Sequence, residues 1–166
     1  LILAWIISTV VSEMHTGDYL STLVAGNIHA GFLPVILFML AGVMAFATGT
    51  SWGTFGIMLP ISAAMAVKVE PSLIIPCMSA VMAGAVFGDH CSPISDTTIL
   101  SSTGAHCNHI DHVTSQFPYA LTVAASAATG YLALGMTGSA PLGFVVTGIV
   151  MVVLILILKD KKKATA

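Results

Sequence analysis

Long apolar stretches without charges, each close to the length of a bilayer crossing, constrain the fold of this chain more than any other feature. The clearest run from Gly31 to Ala47, from Phe117 to Leu134 and from Pro141 to Leu158. A helix needs about 20 mainly apolar residues to cross a hydrocarbon core of about 30 Å. Charged residues make up 7% of the chain and its mean hydropathy is +0.99, outside the range of soluble domains. The sequence therefore predicts an all-α, polytopic membrane protein surrounded by lipid.

Basic residues are concentrated at the C-terminus. Four of the five Lys residues lie in the tail 159–166, and the chain has no Arg. A nucleic-acid partner is therefore excluded, because its surface would need a spread of basic side chains. Lysines beside a membrane helix indicate a cytoplasmic C-terminus. The cysteines, Cys77, Cys91 and Cys107, form no CxxC pair, which argues against a disulfide framework or a four-thiolate zinc site.

The N-terminal residues indicate a chain that begins inside a helix. Leu1–Val11 is apolar without an initiator Met or a basic segment, so we interpret it as a partial membrane helix and not as a signal peptide. Ser12–Asn27 is more polar and predicts a connection at a membrane interface. We expect residues 1–166 to be the C-terminal part of one longer transporter domain, truncated at its N-terminus, with 159–166 as a cytoplasmic tail.

The first polar interruption is Thr48–Thr54, with the sequence TGTSWGT. It divides an apolar run, Gly31–Val67, that would extend about 55 Å as one helix, far more than one crossing. The run must therefore fold back or break. We favour a re-entrant hairpin with TGTSWG at its tip over a broken spanning helix. The hydroxyls could serve an ion site or could bond back to their own helix; the candidates are Thr48, Thr50 and Ser51.

The second polar interruption is Gly88–Thr98, with the sequence GDHCSPISDTT. It follows the apolar run Ser72–Phe87 and precedes a small-residue stretch that ends at Gly104. Such a segment is tolerated at membrane depth only where it is buried in protein or lines a cavity. We therefore predict two half-helices that flank an unwound centre, making a broken transmembrane helix.

Two carboxylates in this second interruption, Asp89 and Asp96, are the strongest functional signal. A carboxylate at membrane depth is costly unless it is paired, protonated or serving a transported ion. Carboxylate, hydroxyl and carbonyl oxygens suit sodium, and a buried aspartate could also exchange a proton for that cation. The alternative is that one or both acids cap a helix N-terminus. Oxygens from the same segment complete the candidate set: Ser92, Thr97 and Thr98.

Histidines supply the remaining candidates. His90 follows Asp89 and could either accept protons near neutral pH or act as its structural hydrogen-bond partner. Ala105–Gln116 predicts a polar loop with several metal-ligand residue types, namely His106, Cys107, His109, Asp111 and His112. His-x-x-His with one Cys is a weak metal pattern, so a solvated loop, responsive to pH or not, is the favoured interpretation. We expect no metal beyond transported sodium.

The sequence TGTSWGT followed by GDHCSPISDTTILSSTGAHCNHIDHVTSQFPYAL, within Ala41–Leu121, resembles the C-terminal half of the NhaC-type sodium/proton antiporter family. The resemblance implies a bacterial inner-membrane secondary transporter with inverted repeats, re-entrant hairpins and broken helices. It places Asp89, Ser92 and Asp96 to Thr98 in one broken segment and Thr48 to Ser51 in its partner. Such a protein exchanges sodium for protons and has no cofactor.

Some consequences of the resemblance stay open. Similar proteins exchange small organic acids such as malate and lactate, or amino acids, together with sodium and protons. The absence of Arg mildly favours a cation-only substrate. We expect the partners to be lipid and the missing N-terminal half of the same transporter, without which the chain should not transport; a homodimer is left open. HExxH is absent, and we expect no enzyme.

Overall fold

The chain forms a bundle of helices in a computed structural model. The structure describes residues 29–164, with side chains as far as Lys159, and a few single residues between Ile6 and Thr22. The predicted partial helix Leu1–Val11 and polar connection Ser12–Asn27 therefore lie largely outside the described residues. The helices are α1 (Leu33–Thr48), α2 (Ser51–Val69), α3 (Ile74–Cys91), α4 (Asp96–Gly104), α5 (His109–Thr137) and α6 (Ala140–Ala164), with single 3₁₀ turns at Ala30–Phe32 and Pro71–Leu73.

Within residues 29–164, five helical segments are long and apolar enough to cross a membrane. Every regular element within residues 29–164 is helical, so the predicted all-α, polytopic class is confirmed. The short helix α4 is the exception in length, with 9 residues. The crossing-length segments are Ala30–Thr48, Ser51–Val69, Pro71–Cys91, His109–Thr137 and Ala140–Lys159.

The run Gly31–Val67 folds back on itself at Gly49 and Thr50. Gly49 ends α1 with a left-handed backbone (φ 69°), which glycine adopts without strain. Thr50 then caps α2 by accepting a hydrogen bond from the amide of Gly53. The chain therefore turns where the sequence predicted a hairpin tip. Each arm is long enough to cross a bilayer.

The second interruption is narrower than predicted. Helix α3 continues through Gly88 to Cys91, and α4 already begins at Asp96, so the non-helical segment is limited to residues 92–95. With its preceding 3₁₀ turn, α3 has the length of a whole crossing. The predicted pair of half-helices is therefore corrected to one complete helix followed by a short one.

Close backbone contact between α1 and α3 holds the centre of the bundle together. A Cβ added at Gly84 would overlap the carbonyl oxygen of Phe38, and one added at Gly88 would overlap that of Gly42. Because the residue numbers of these contacting pairs increase together along both helices, α1 and α3 run parallel. Helix α2, which starts beside the end of α3 and is joined to its beginning, runs antiparallel to both.

Helix α5 returns along α3 in the opposite direction. The hydroxyl of Tyr131, late in α5, lies 2.9 Å from that of Ser79, early in α3. The predicted polar loop 105–116 is shorter than expected, because Asn108 caps α5 and the helix begins at His109. Helix α6 then packs against α5 through Gly130 and Gly143 and continues as a helix into the Lys-rich tail.

Candidate functional site

The buried carboxylate of Asp89 is the centre of the site. It lies in the last turn of α3 and is 3% exposed. Ser95 donates to its Oδ1 at 2.5 Å, and Ser51 donates to its Oδ2 at 3.2 Å. Thr97 donates to Oδ2 at 3.4 Å. Every hydrogen-bond partner that the structure gives this carboxylate is therefore a neutral hydroxyl.

Both interruptions of the chain contribute to these contacts. Ser51 is the first residue of α2, immediately after the turn at Gly49 and Thr50. Ser95 and Thr97 lie at the start of α4, directly after the interruption 92–95. The two segments touch, since a Cβ added at Gly49 would lie 2.8 Å from the carbonyl oxygen of Ile94. The structure thus brings together the two polar segments from which the sequence predicted a shared site.

The arrangement can hold either a proton or a small cation. An ionised carboxylate that is removed from water is costly, and three hydroxyl donors only partly replace its hydration. Each hydroxyl also has oxygen lone pairs that can turn toward a metal ion. The hydroxyls of Ser95 and Thr97 are 2.7 Å apart, so they form one connected group of hard oxygen atoms next to Asp89.

Asp96 has a different environment. It is exposed, and its Oδ1 accepts a hydrogen bond of 2.8 Å from the backbone amide of Thr97. An acid in the first turn of a helix is favoured by the unpaired amides there. The structure therefore supports the capping alternative for Asp96 and does not join it to Asp89 in a buried pair.

Two further predicted residues are buried in the same segment. Ser92 is fully buried, and its Oγ accepts a hydrogen bond from the amide of Ile94 at 3.4 Å. Thr98 is 3% exposed, and its Oγ1 has no hydrogen-bond partner among the described residues. Neither side chain bonds to Asp89. Ser92 stabilises the turn, while Thr98 keeps an unused oxygen.

The hydroxyls of the first interruption differ in their hydrogen-bond partners. Ser51 reaches Asp89, but Thr48 is exposed and donates to the carbonyl of Met44 in its own helix at 2.9 Å. Thr50 uses its side chain to cap α2. The alternative that these hydroxyls serve their own helices thus describes Thr48 and Thr50.

His90 points away from the carboxylate. Its ring is exposed, and Nδ1 lies 2.8 Å from the carbonyl oxygen of Val86 on the same helix. Of the two alternatives for His90, the hydrogen bond to Asp89 is therefore not formed, and the proton-accepting role stays a prediction. In the described part of the chain, no group of three or more His, Cys, Asp or Glu residues could hold a metal ion. The predicted polar loop His106–His112 consists of the end of the connection after α4 and the first turn of α5.

Sequence reasoning missed Ser95, and it named His109 only as part of the polar loop and not as a contact of the interruption. Ser95 occupies the position before the first residue of α4, and a Ser that precedes Asp-Thr-Thr is a helix-start signal that could have identified it. His109 bonds from α5 to the interruption, through Nε2 to the carbonyl oxygen of Pro93 at 2.7 Å. A contact across 16 positions of the chain leaves no local pattern in the sequence.

A buried carboxylate where two helix interruptions meet, within a set of crossing-length helices, defines a multi-pass membrane protein of the ion-transport class. Residues 1–136 match the Na+/H+ antiporter family. The chain belongs to that family, as the resemblance predicted.

The relatives differ in what their names say they exchange. An uncharacterized protein of Haemophilus influenzae is 62% identical over 97% of this chain and 31% of its own length. The malate-2H(+)/Na(+)-lactate antiporter of Bacillus subtilis is 36% identical over 52% of the chain and 18% of its own length. The arginine/ornithine antiporter ArcD of Halobacterium salinarum is 31% identical over 69% and 27%. The chain thus spans less than a third of these relatives, and no solved structure matches it.

Proposed function

We propose that the protein to which this chain belongs exchanges sodium for protons across the membrane, with Asp89 binding either ion in turn. The observation that carries the proposal is the buried Asp89 carboxylate with hydroxyl partners from both interruptions. In an exchanger of this kind, one carboxylate binds a proton or a cation but not both. Competition between the two ions at Asp89 would couple their movements in opposite directions.

The hydroxyls around Asp89 have a defined part in this exchange. With Asp89 ionised and no cation bound, Ser51 and Ser95 donate their hydrogens to it. When sodium enters, each hydroxyl turns so that an oxygen lone pair faces the ion. Thr97 supplies a further oxygen next to Ser95, and the unused Oγ1 of Thr98 is a reserve ligand in the same segment. Sodium displaces the proton from Asp89 on the side to which the site is open, and after the site opens to the other side a proton displaces sodium there.

A second candidate is the exchange of small organic acids or amino acids coupled to sodium and protons. It is favoured by the activities for which the Bacillus subtilis and Halobacterium salinarum relatives are named. A carboxylate substrate would need a basic partner or a helix N-terminus. Lys68 lies in the last turn of α2, at the far end of that helix from Ser51. The partners of Asp89 therefore favour a cation as the substrate of this part of the site.

The membrane location of the protein and the rest of the transporter are also proposed. We place the protein in a bacterial inner membrane with the Lys-rich tail in the cytoplasm, because lysines next to a crossing helix are retained inside. The rest of the transporter would complete the ion path, since interrupted segments from two repeats form such sites. The isolated chain is therefore expected to bind lipid but not to transport.

Everted membrane vesicles that contain the full-length protein test the substrate. A proton gradient is imposed, and its dissipation is followed after addition of sodium alone, of malate with sodium, or of arginine with sodium. We expect sodium alone to dissipate the gradient. Dissipation only when malate or arginine is present would replace the cation proposal with the second candidate. Vesicles without the protein provide the baseline.

Replacement of Ser95 by Ala should weaken sodium binding without disturbing the helix. Ser95 precedes α4 but makes no side-chain capping bond, so its hydroxyl serves Asp89. The variant lacks the Ser95 oxygen that would face the ion, and a polar contact with a charged group contributes about 1.5–3 kcal/mol. We therefore expect at least about a tenfold rise in the sodium concentration for half-maximal exchange. The control is Ser101→Ala, because Ser101 is exposed and bonds only within α4, to Thr97. Equal behaviour of the two variants would contradict the assigned role of Ser95.

A further inference from the structure

His109 connects three parts of the chain at the end of the bundle where Asp89 lies. It is the first residue of α5, and Asn108 fixes its position by accepting hydrogen bonds from the amides of Ile110 and Asp111. Its Nε2 is 2.7 Å from the carbonyl oxygen of Pro93, and its Nδ1 is 3.1 Å from the hydroxyl oxygen of Ser102 on α4. One imidazole ring thus links α5, α4 and the interruption 92–95.

The hydrogen bonds that these groups can make depend on the charge of the His109 ring. The Pro93 carbonyl can only accept, so Nε2 must carry a hydrogen. The single hydrogen of the Ser102 hydroxyl is donated to the carbonyl of Ile99 at 2.9 Å, so Nδ1 must also donate in order to bond to Ser102. An imidazole with hydrogens on both nitrogens is the protonated, positively charged form. With the Ser102 hydroxyl turned to Ile99, both ring nitrogens therefore make their contacts only in the protonated form of His109.

Loss of the proton changes this link without abolishing it. A neutral ring can keep its bond to Pro93 only as an ordinary hydrogen bond, which is about half as strong as one made by a charged donor. The Ser102 hydroxyl must then turn from Ile99 toward Nδ1. Ile99 keeps a hydrogen bond from Thr103, so the change stays local to the His109 contacts.

The interruption that His109 holds also carries a partner of Asp89. Pro93 lies two residues before Ser95, within a turn closed by the hydrogen bond from the Ser95 amide to the Ser92 carbonyl at 3.3 Å. Ser95 makes the shortest hydrogen bond to the carboxylate. A hold on Pro93 is therefore also a hold on the turn that carries Ser95, whose hydroxyl would have to rotate away from Asp89 when sodium enters.

We propose that His109 is a positioning residue that makes the hydroxyl arrangement around Asp89 depend on pH. Protonated His109 holds the interruption against α5 and opposes sodium entry, and the neutral form relaxes that hold. The effect on transport rests on the proposed sodium/proton exchange, whereas the effect on the interruption does not. Histidine suits this role because its charge changes near neutral pH.

Other titratable groups surround this link, but neither ring nitrogen of His109 bonds to any of them. They lie on each of the adjoining elements and would affect the charge of the ring only through space. These groups are Asp89, His90 and Cys91 in the last turn of α3, Asp96 on α4, His106 and Cys107 in the connection, and Asp111 and His112 on α5.

The first test compares the pH profiles of full-length variants in everted vesicles. His109→Gln keeps a neutral donor for Pro93 but does not titrate. We expect the ratio of the exchange rate of His109→Gln to that of the unaltered protein to be about fivefold higher at about pH 5.5 than at about pH 8.5. This factor corresponds to the net free energy of one hydrogen bond. His106→Asn is the control, because His106 is exposed with φ 53°, a conformation that Asn tolerates. Coinciding profiles for His109→Gln and the unaltered protein would overturn the inference.

The second test does not depend on transport. The Cys107 thiol is exposed and its Sγ lies 3.6 Å from the Ser102 carbonyl oxygen, so its alkylation reports on the connection that His109 fixes. Mass spectrometry of the peptide containing Cys107 gives the alkylation rate in the full-length protein. We expect the rate in His109→Gln relative to the unaltered protein to increase as pH falls. A ratio independent of pH overturns the inference; a varying ratio without sodium-dependent proton movement supports it and removes the proposed exchange.

Discussion

Asp89→Asn is expected to abolish sodium-dependent proton movement in the full-length protein, with a loss of at least about 100-fold in the initial rate. Asn has nearly the same shape as Asp but can neither bind a proton near neutral pH nor neutralise a cation. Removing a charge from a buried ion site costs more free energy than removing an exposed charge. A cost of about 2.7 kcal/mol corresponds to a factor of 100 in rate. The measurement is the dissipation of an imposed proton gradient in everted vesicles on addition of sodium.

The hydrogen bonds at Asp89 explain why Asn should also disturb the site locally. Ser51 and Ser95 each donate to one carboxylate oxygen. In Asn one of these oxygens becomes an amide NH₂, which donates, so one hydroxyl must reverse its direction. Because hydroxyls rotate freely, the fold should survive, and the variant protein should be present in the membrane in normal amounts.

Asp96→Asn is the matched control for this prediction. Asp96 carries the same charge seven positions away, but it is exposed and bonds to the backbone amide of Thr97. Asn is also a good residue at a helix start, so most of the exchange activity should remain. Normal sodium-dependent proton movement in Asp89→Asn would contradict the proposed site, and so would equal losses in the two variants.

The positions of both interruptions could be predicted from the sequence because each is a local departure from an apolar pattern. TGTSWGT and GDHCSPISDTT stand out between runs that must cross the membrane. Ser51, Asp89 and Thr97 were identified as candidates, and the structure brings them together. Their roles in transport remain predictions, since a set of contacts does not show which ion is bound.

The length of the second interruption was not predictable, for a physical reason that centres on Gly88. A glycine followed by a polar residue in an apolar run indicates an unwound backbone. In the structure, Gly88 stays helical, and its missing side chain allows the backbone of Gly42 to approach. The sequence contains the glycine in either case, and only the packing of α1 against α3 decides between a break and a close contact.

The different environments of the two acids also depended on packing. Asp89 lies on the face of α3 that meets the start of α2, while Asp96 is exposed at the first residue of α4. The sequence gives their separation but not where the intervening residues leave the helix. Had α3 ended one turn earlier, Asp89 would have been in the non-helical segment and the contact with Ser51 would have required a different path.

Gly84→Ala is expected to destabilise the protein by about 3 kcal/mol or prevent its folding, although alanine normally favours a helix. In an open helical position, Gly→Ala stabilises by about 0.5–1 kcal/mol. At Gly84 the added Cβ would overlap the carbonyl oxygen of Phe38 and lie 2.9 Å from its carbonyl carbon. These are backbone atoms of α1, so no side-chain rotation relieves the overlap, and overpacking of this kind reaches about 3 kcal/mol.

Gly148→Ala makes the same change where a Cβ would meet no atom within 4 Å, so its effect should be neutral or slightly stabilising. Both variants are measured in the full-length protein in detergent, by the fraction that stays monodisperse after heating. The two variants should change the stability in opposite directions. The reason is that α1 can approach α3 only where α3 has no side chain, whereas Gly148 has no close neighbour. That approach also places Gly49 against Ile94, and thereby Ser51 beside Asp89. Equal thermal stability of the two variants would show that this close contact does not hold the two interruptions together.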